Sequence, residues 1–252
     1  MADSNILFSI LRFEFSMATS GNNEIQPDHV IIWCDKNMAV PENYKDNRAV
    51  LDENADVTRP PSSEYSPEID RRILAINPYL NQTKLNDLIK SPLRMFIDEK
   101  ECLKCIHDSL QAGKKVFLIT SGEKGATIIP EIHEMLSGSI YVFCGRRDLH
   151  EQWTGRYETD MVIYDDEKGV FGKVLLDIGV YYLVKGQNAT GNPAAATQYL
   201  HWAKRLVKSA TKVDGINRND YLDSIIEELS DINAAPDGYD TDVQMGTGAD
   251  QV

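Results

Sequence analysis

Cysteine is scarce in this 252-residue sequence, with only four residues, too few for a disulfide framework. Cys34 and Cys144 lie in apolar runs, where a buried free thiol is the expected state. Cys102 and Cys105 have the spacing of a zinc-ligand pair, but no second pair of cysteines or histidines lies nearby. Cys102 also falls on the apolar face of a predicted helix. We therefore expect no metal site and no cofactor.

Basic residues are also in deficit, with 26 Lys and Arg against 39 Asp and Glu, for a formal charge of −13. Nucleic-acid affinity comes chiefly from clustered cations that neutralise phosphates. Attraction to an anionic lipid surface has the same requirement. This balance excludes nucleic acid and membrane as the main partners.

Long apolar runs are absent as well. The longest one near the start, residues 6–15, is interrupted by Arg12 and Glu14 and is much shorter than the roughly 20 residues that span a bilayer. It also lacks the basic region that begins a secretory signal. We expect residues 1–27 to be a disordered leader and the protein to be cytoplasmic.

Short apolar runs, rich in β-branched and aromatic residues, predict five strands: Val30–Cys34, Leu93–Ile97, Val116–Thr120, Ile140–Cys144 and Met161–Tyr164. Most are continuously apolar rather than alternating, which is typical of strands buried on both faces of a parallel sheet. Helical patterns lie between the later runs. The alternation predicts an α/β domain over residues 28–168, with a doubly wound, mostly parallel, five-stranded sheet.

Helical patterns are predicted from apolar spacing and capping residues. Asp98 is a predicted N-cap for a helix that runs to Gly113, and further helices are predicted over 126–136 and 149–157. After residue 168 only helices are predicted, over 170–185, 194–211 and 220–229. We predict that residues 169–230 form a small all-α hairpin appendage that is similar to one tetratricopeptide unit with a capping helix.

Two stretches do not follow this pattern of predicted strands and helices. Residues 38–67 are polar and contain the run RPPSSEYSP, which predicts a mobile insertion. Helices are predicted to begin at Ser66 and to cover 83–90. Residues 231–252 hold five Asp and no Lys or Arg, which predicts a disordered acidic tail.

Polar residues follow the predicted strands, at the edge where open α/β sheets bind their ligands. The turn from Ser121 through Gly122 to Gly125 joins a buried strand to a helix, so its backbone amides form a candidate phosphate or anion site. The spacing fits neither the P-loop nor the dinucleotide-binding pattern. Glycines that serve only a steric purpose remain the alternative.

Arg146 and Arg147 are predicted at the same edge, where they could complement a phosphate or carboxylate, or could simply be solvated. The histidines are scattered, without paired ligand spacing. Ser121 lacks the G-x-S-x-G pattern of a nucleophile elbow. We expect no catalytic residue from these patterns.

Asp35 after the first strand and Ser121 after the third give the chain a resemblance to phosphoacceptor receiver domains. That family has acidic residues after strand one, the phosphorylated Asp after strand three, a hydroxyl after strand four and a Lys after strand five. Asp35 matches the first position, whereas Ser121 or Thr120 stands at the second, Cys144 and Gly145 at the third, and Asp165 or Asp166 at the fourth. The resemblance implies a degenerate receiver pocket around Asp35 that lacks acyl-phosphate chemistry.

A closer resemblance is to animal receiver-like domains, with a flavodoxin-like fold, that occur upstream of tetratricopeptide repeats or mono-ADP-ribosyltransferase domains. The segments that carry it span about residues 28–166 and are VIIWCD, FIDEKEC, VFLITSG, IPEIH, SIYVFC and HEQW. The resemblance implies a regulatory or interaction module. Nothing in the helical end supports transferase activity.

Two functions therefore compete. The first is a non-catalytic pseudo-receiver that binds a protein partner, with a helix or peptide along the helical hairpin. The second is a TIR-like enzyme that cleaves a nucleotide or NAD at the carboxyl ends of the strands. It would hold phosphates at the Ser121–Gly125 turn and the two arginines, with Glu123 or Glu131 acting on the ribose.

Overall fold

The computed structural model describes residues 25–39, 50–51, 54–58, 92–136, 138–146, 148, 150–157 and 159–234. The strands in this part of the chain are β1 His29–Cys34, β2 Leu93–Phe96, β3 Lys115–Ser121, β4 Ile140–Phe143 and β5 Met161–Tyr164. The α-helices are α1 Glu99–Gln111, α2 Gly122–Ile132, α3 Glu151–Thr154, α4 Glu167–Asn188, α5 Pro193–Asp214 and α6 Asn219–Ala234. A 3-10 turn, Lys36–Ala39, follows β1.

All five strands are parallel and lie in the order β2-β1-β3-β4-β5. The prediction of a doubly wound, five-stranded parallel sheet is confirmed, and its order is that of a flavodoxin-like α/β fold. The register pairs Cys34 with both Phe96 and Thr120, and Ser121 with Phe143. The carboxyl ends of the strands therefore meet along one edge.

Each face of the sheet has its own apolar core, because successive strand side chains point to opposite faces. On one face, Ile32 and Leu118 pack with Ile106 of α1 and Ile128 of α2. On the other, Trp33 and its neighbours pack with α4, and the rings of Trp33 and Phe171 lie 5.3 Å apart. These two layers make the continuously apolar strands stable.

Helices α4 to α6 belong to the core on the second face of the sheet. Ile178 of α4, Leu206 of α5 and Ile225 of α6 share one apolar cluster with the strand residues Trp33 and Tyr141. The predicted helices are present, but a separate helical appendage is not confirmed. An amphipathic helix after an α/β domain looks the same in sequence whether it covers the sheet or stands apart.

Part of the polar stretch predicted as an insertion also enters this core. Leu51, Ala55 and Val57 are buried, and His29 Nε2 donates to the carbonyl of Ala55 at 3.1 Å. A few apolar residues spaced along a polar stretch were too weak a pattern to indicate this. Residues 40–49, 52–53 and 59–67 of the predicted insertion, together with the helices expected from Ser66 and over 83–90, lie outside the described residues.

Several boundaries differ from the sequence pattern. Helix α2 begins at Gly122 rather than near 126, and α3 covers only four residues of the predicted 149–157 helix. Helix α6 runs to Ala234, into the predicted tail, whereas 235–252 and 1–24 lie outside the described residues. No helix in the described part of the chain combines the length and apolar character that crossing a bilayer requires.

Candidate functional site

The candidate site lies where the strands end, and we call the residues 35–37, 97–99, 121–125, 144–146 and 165–166 the strand-end edge. Because Cys34 pairs with Thr120, Asp35 and Ser121 follow at adjacent positions on neighbouring strands. This is the edge at which open α/β sheets bind ligands. Its side chains decide whether it can do so here.

Ser121 acts as the N-cap of α2. Its backbone is extended, with φ −72° and ψ 159°, and its Oγ accepts a hydrogen bond from the amide of Lys124 at 3.4 Å. Such a cap satisfies one of the amides that a helix N-terminus leaves unpaired. The predicted anion-binding turn is thus the first turn of α2, and its serine oxygen already has a partner.

The first turn of α2 is covered by residues from the segment that contains α3. A Cβ built on Gly122 would lie only 2.6 Å from Cδ2 of His150, and one on Gly125 would lie 3.1 Å from the ring of Trp153. The indole Nε1 donates to Nδ1 of His150 at 3.3 Å. A side chain at Gly122 would therefore overlap the ring of His150, and one at Gly125 would need the ring of Trp153 to shift by a few tenths of an ångström.

Asp35, the one residue that matches the receiver pattern, is buried with an exposed fraction of 2%. Its Oδ1 accepts from the amide of Asn37 at 2.7 Å, and its own amide donates to the carbonyl of Phe96 at 3.0 Å. These bonds start the 3-10 turn that follows β1. The carboxylate thus shapes the chain where it leaves the sheet.

Two ion pairs cross the strand-end edge. Lys36 binds Glu123 on the surface, and Lys124 Nζ binds Glu99 Oε1 at 2.8 Å. Hydrogen bonds from Lys36 and Lys124 lower the pKa of Glu123 and of Glu99, respectively. Burial alone would lower the pKa of Lys124, but the bond to Glu99 raises it above its usual value. These shifts favour the charged forms of Glu99, Glu123 and Lys124 near neutral pH.

Arg146 lies beyond the end of β4, and its guanidinium binds the carboxylate of Asp148, two residues further along the chain. Nη2 and Nε donate to the two carboxylate oxygens of Asp148 at 3.0 and 3.3 Å, and both side chains are about two-thirds exposed. This surface pair contributes little to stability. Arg147 lies outside the described residues.

At the β5 end, acidic residues replace the cation of a receiver. Asp166 is the N-cap of α4, and its Oδ1 accepts from the amide of Gly169 at 2.6 Å. Asp165, directly after the strand, is exposed. The carboxylate of Asp166 is therefore used to begin a helix.

The thiols of Cys102 and Cys105 on α1 are poor nucleophiles. A hydrogen bond with Cys34, together with burial, raises the pKa of Cys102, and burial raises that of Cys105. A thiol is reactive as the thiolate, which both shifts disfavour. Within the described residues, no three Cys, His, Asp or Glu side chains are arranged to hold a metal ion.

Two cavities lie at the opposite edge, where the strands begin. One of about 220 Å³ is bounded by His29, Arg94 and Lys114, and one of about 390 Å³ by Asn192, Gln198 and Trp202. Val57 and Thr58 line both. Their position differs from the strand-end location expected for a ligand of this fold.

The strand-end edge was predicted from the sequence, but the side-chain contacts across it were not. The roles of Lys36, Lys124 and Glu99 depend on contacts between separate elements, and the position of His150 over Gly122 joins residues 28 apart in the chain. The one sequence motif that contained His150 was the HEQW segment. No family model, curated protein or solved structure matches the chain, so its resemblance to receiver-like domains depends on the quoted motifs alone.

Proposed function

We propose that the chain is a non-catalytic pseudo-receiver that acts as a regulatory, protein-binding module. The observation that carries the proposal is the state of Ser121, which stands where a receiver has its phosphoacceptor carboxylate. Its hydroxyl caps α2, and the ring of His150 lies over the next residue, Gly122. A carboxylate nucleophile is missing at this position, and the ring of His150 packs against the helix turn that follows it.

The charges at the strand-end edge support the same proposal. A phosphate that approached the amide end of α2 would come close to the ring of His150, which packs against Gly122. It could recruit Lys36 or Lys124 only by breaking their ion pairs with Glu123 and Glu99. Arg146 is similarly engaged by Asp148. The cost of giving up a pair is greatest for the partly buried Lys124–Glu99 pair, and it is small for the exposed pairs of Lys36 and Arg146.

The competing enzymatic function finds less support among the same residues. Glu123 forms an ion pair with Lys36, which favours its charged form but leaves it engaged. Glu131 lies nine residues after Gly122, the first residue of α2, and a rise of 1.5 Å per residue places it about 13 Å from that end of the helix. Neither glutamate is thus a free carboxylate at the amide end of the helix.

A protein partner is the remaining means by which such a module acts. The groove of the α4–α5 hairpin, where we expected a partner helix, receives Ile225 and Leu229 of α6. The partner would therefore bind outer surfaces instead. The four free cysteines favour a reducing compartment, and we propose the cytoplasm as the setting.

Thermal unfolding in the presence of ATP, GTP, NAD, NADP or acetyl phosphate with Mg²⁺ tests this proposal. A ligand at one hundred times its Kd stabilises a fold by about 2.7 kcal/mol, which is easily measured. We expect no change in the unfolding midpoint with any of them at millimolar concentration. A clear increase that Arg146→Ala removes, and that the matched surface variant Lys104→Ala retains, would refute the proposal.

A further inference from the structure

The outer face of α5 carries a row of lysines. Lys204, Lys208 and Lys212 recur every four residues and so share one side of the helix. Lys208 and Lys212 are exposed, and Lys204 is partly exposed. The acidic residue of α5, Asp214, is buried in an ion pair with Arg218. We call these three lysines the basic stripe.

The outer face of α6 carries the opposite charge. Asp220, Asp223, Glu227 and Asp231 follow the helical spacing of three and four residues and are all exposed. We call these four residues the acidic stripe. Helix α6 contains no Lys or Arg, so like charges repel along it, and the later acids also oppose the helix dipole.

Neither stripe is neutralised by the residues that the structure describes. In the described residues, none of these seven side chains forms an ion pair or a side-chain hydrogen bond. The two helices pack through their apolar sides, where Leu206 and Ala210 of α5 share a core with Ile225 and Leu229 of α6. Both charged faces therefore remain available to a partner.

Exposed apolar side chains adjoin the acidic stripe. Ile216 in the α5–α6 turn is 58% exposed, and Tyr221 and Ile226 of α6 are 40% and 44% exposed. They account for three of the seven large apolar residues that are most exposed in the described chain. Apolar groups beside charged rows are typical of a surface that buries itself against another protein.

We infer that this surface is a homodimer interface, in which the basic stripe of each copy lies along the acidic stripe of the other. The lengths agree, because the basic stripe covers eight residue steps, about 12 Å, and the acidic stripe eleven, about 16 Å. A second copy supplies both charges at once, so two identical contacts close around a two-fold axis. Each acidic stripe then gains the cations that its own helix lacks.

A second copy suits both stripes at once, whereas an unrelated acidic molecule would suit only the basic stripe and a basic molecule only the acidic stripe. Two copies with a charge of −13 each repel one another at long range, so association depends on the local contact between the stripes. The inference concerns a different surface from the strand-end edge and holds whether or not that edge binds a ligand.

Sedimentation equilibrium with two charge-reversed variants tests the interface. The first variant combines Lys208→Glu with Lys212→Glu, and the second combines Asp223→Lys with Glu227→Lys. We expect wild type to be a dimer near 0.1 M salt and each variant alone to be monomeric. An equimolar mixture of the two should regain the dimer mass, because both contacts then join opposite charges.

The matched control is Lys100→Glu with Lys104→Glu, which reverses two exposed lysines on α1 and should leave the dimer intact. Circular dichroism of every variant verifies the fold. A monomeric wild type would overturn the inference, as would dimeric charge-reversed variants or a mixture that stays monomeric. None of these results alters the ligand-binding test of the proposed function.

Discussion

The imidazole ring of His150 lies over the α-carbon of Gly122, so closely that a methyl group there would come within 2.6 Å of Cδ2 of the ring. Three residues further along each of the two segments, a methyl group on Gly125 would lie 3.1 Å from the ring of Trp153. The two aromatic side chains therefore cover the first turn of α2. In a flavodoxin-like sheet this turn is where an anionic ligand is expected.

The first prediction concerns this contact. Gly122→Ala should lower the free energy of unfolding by about 1–3 kcal/mol, the usual cost of forcing extra volume into a packed site. His150→Ala in the same chain should restore most of the loss, since it removes the group that the new methyl meets. Urea denaturation of the two single variants and the double variant measures the coupling.

Gly145→Ala is the matched control for that cycle. A Cβ on Gly145 would meet no atom within 4 Å, so its substitution should be nearly neutral. Additive effects of Gly122→Ala and His150→Ala would contradict the described packing.

The second prediction concerns the cap of α2. Ser121→Ala should destabilise the fold by about 0.5–2 kcal/mol because the amide of Lys124 loses its acceptor. Ser121→Asp should cost little, because aspartate caps helices as well as serine and its charge suits the helix N-terminus. Equal losses of unfolding free energy for both variants would show that the hydroxyl has another role.

The third prediction is a pH dependence that arises from His29. Burial lowers the pKa of His29 from 6.5 to about 4 and outweighs the hydrogen bond to the carbonyl of Ala55, which raises it. Between these values the unfolded chain binds a proton that the folded chain does not. Stability should therefore fall as the pH decreases from 6.5 to 4, by up to about 3 kcal/mol.

The measurement compares wild type with His29→Gln in urea at a series of pH values, since the carboxylates titrate alike in both. The wild-type unfolding free energy should drop more steeply than that of the variant below pH 6.5. If the variant does not fold, NMR titration of the wild-type imidazole replaces the comparison. Protonation of His29 near its ordinary pKa would contradict the account.

The fourth prediction concerns the buried ion pair after α5. Asp214 and Arg218 have side chains only 4% and 6% exposed, and Arg218 Nη1 donates to Asp214 Oδ1 at 2.7 Å. Asp214→Leu alone should cost about 3–5 kcal/mol because it leaves a buried, uncompensated charge. Asp214→Leu with Arg218→Met should recover most of that loss. Chemical denaturation decides, and a double variant as unstable as the single one would contradict this account.

The sheet could be predicted from sequence because each strand carries its own signal. Runs such as Val116–Thr120 are apolar on both faces, and that pattern depends only on neighbours in the chain. The apolar stripes of α4 and α5 could be predicted in the same way. The surface against which α4 packs could not be predicted, because the cluster that joins Trp33 to Phe171 connects residues far apart in sequence.

The candidate site was harder to predict than the fold. Its place followed from the strand ends, but Gly122 and Gly125 looked like a phosphate-binding turn. In the structure both glycines are helical and serve the approach of His150 and Trp153. Loop composition cannot separate these two uses of glycine, since close approach of a ligand and of a ring impose the same steric requirement.

The most direct test of the closed strand-end edge is a two-dimensional amide NMR titration with NAD, ATP or acetyl phosphate and Mg²⁺. The account predicts that the amide signals of Asp35 and of Ser121 to Gly125 do not move at millimolar ligand concentration. Saturable shifts confined to these residues would show that the edge opens to a ligand and would contradict the central claim.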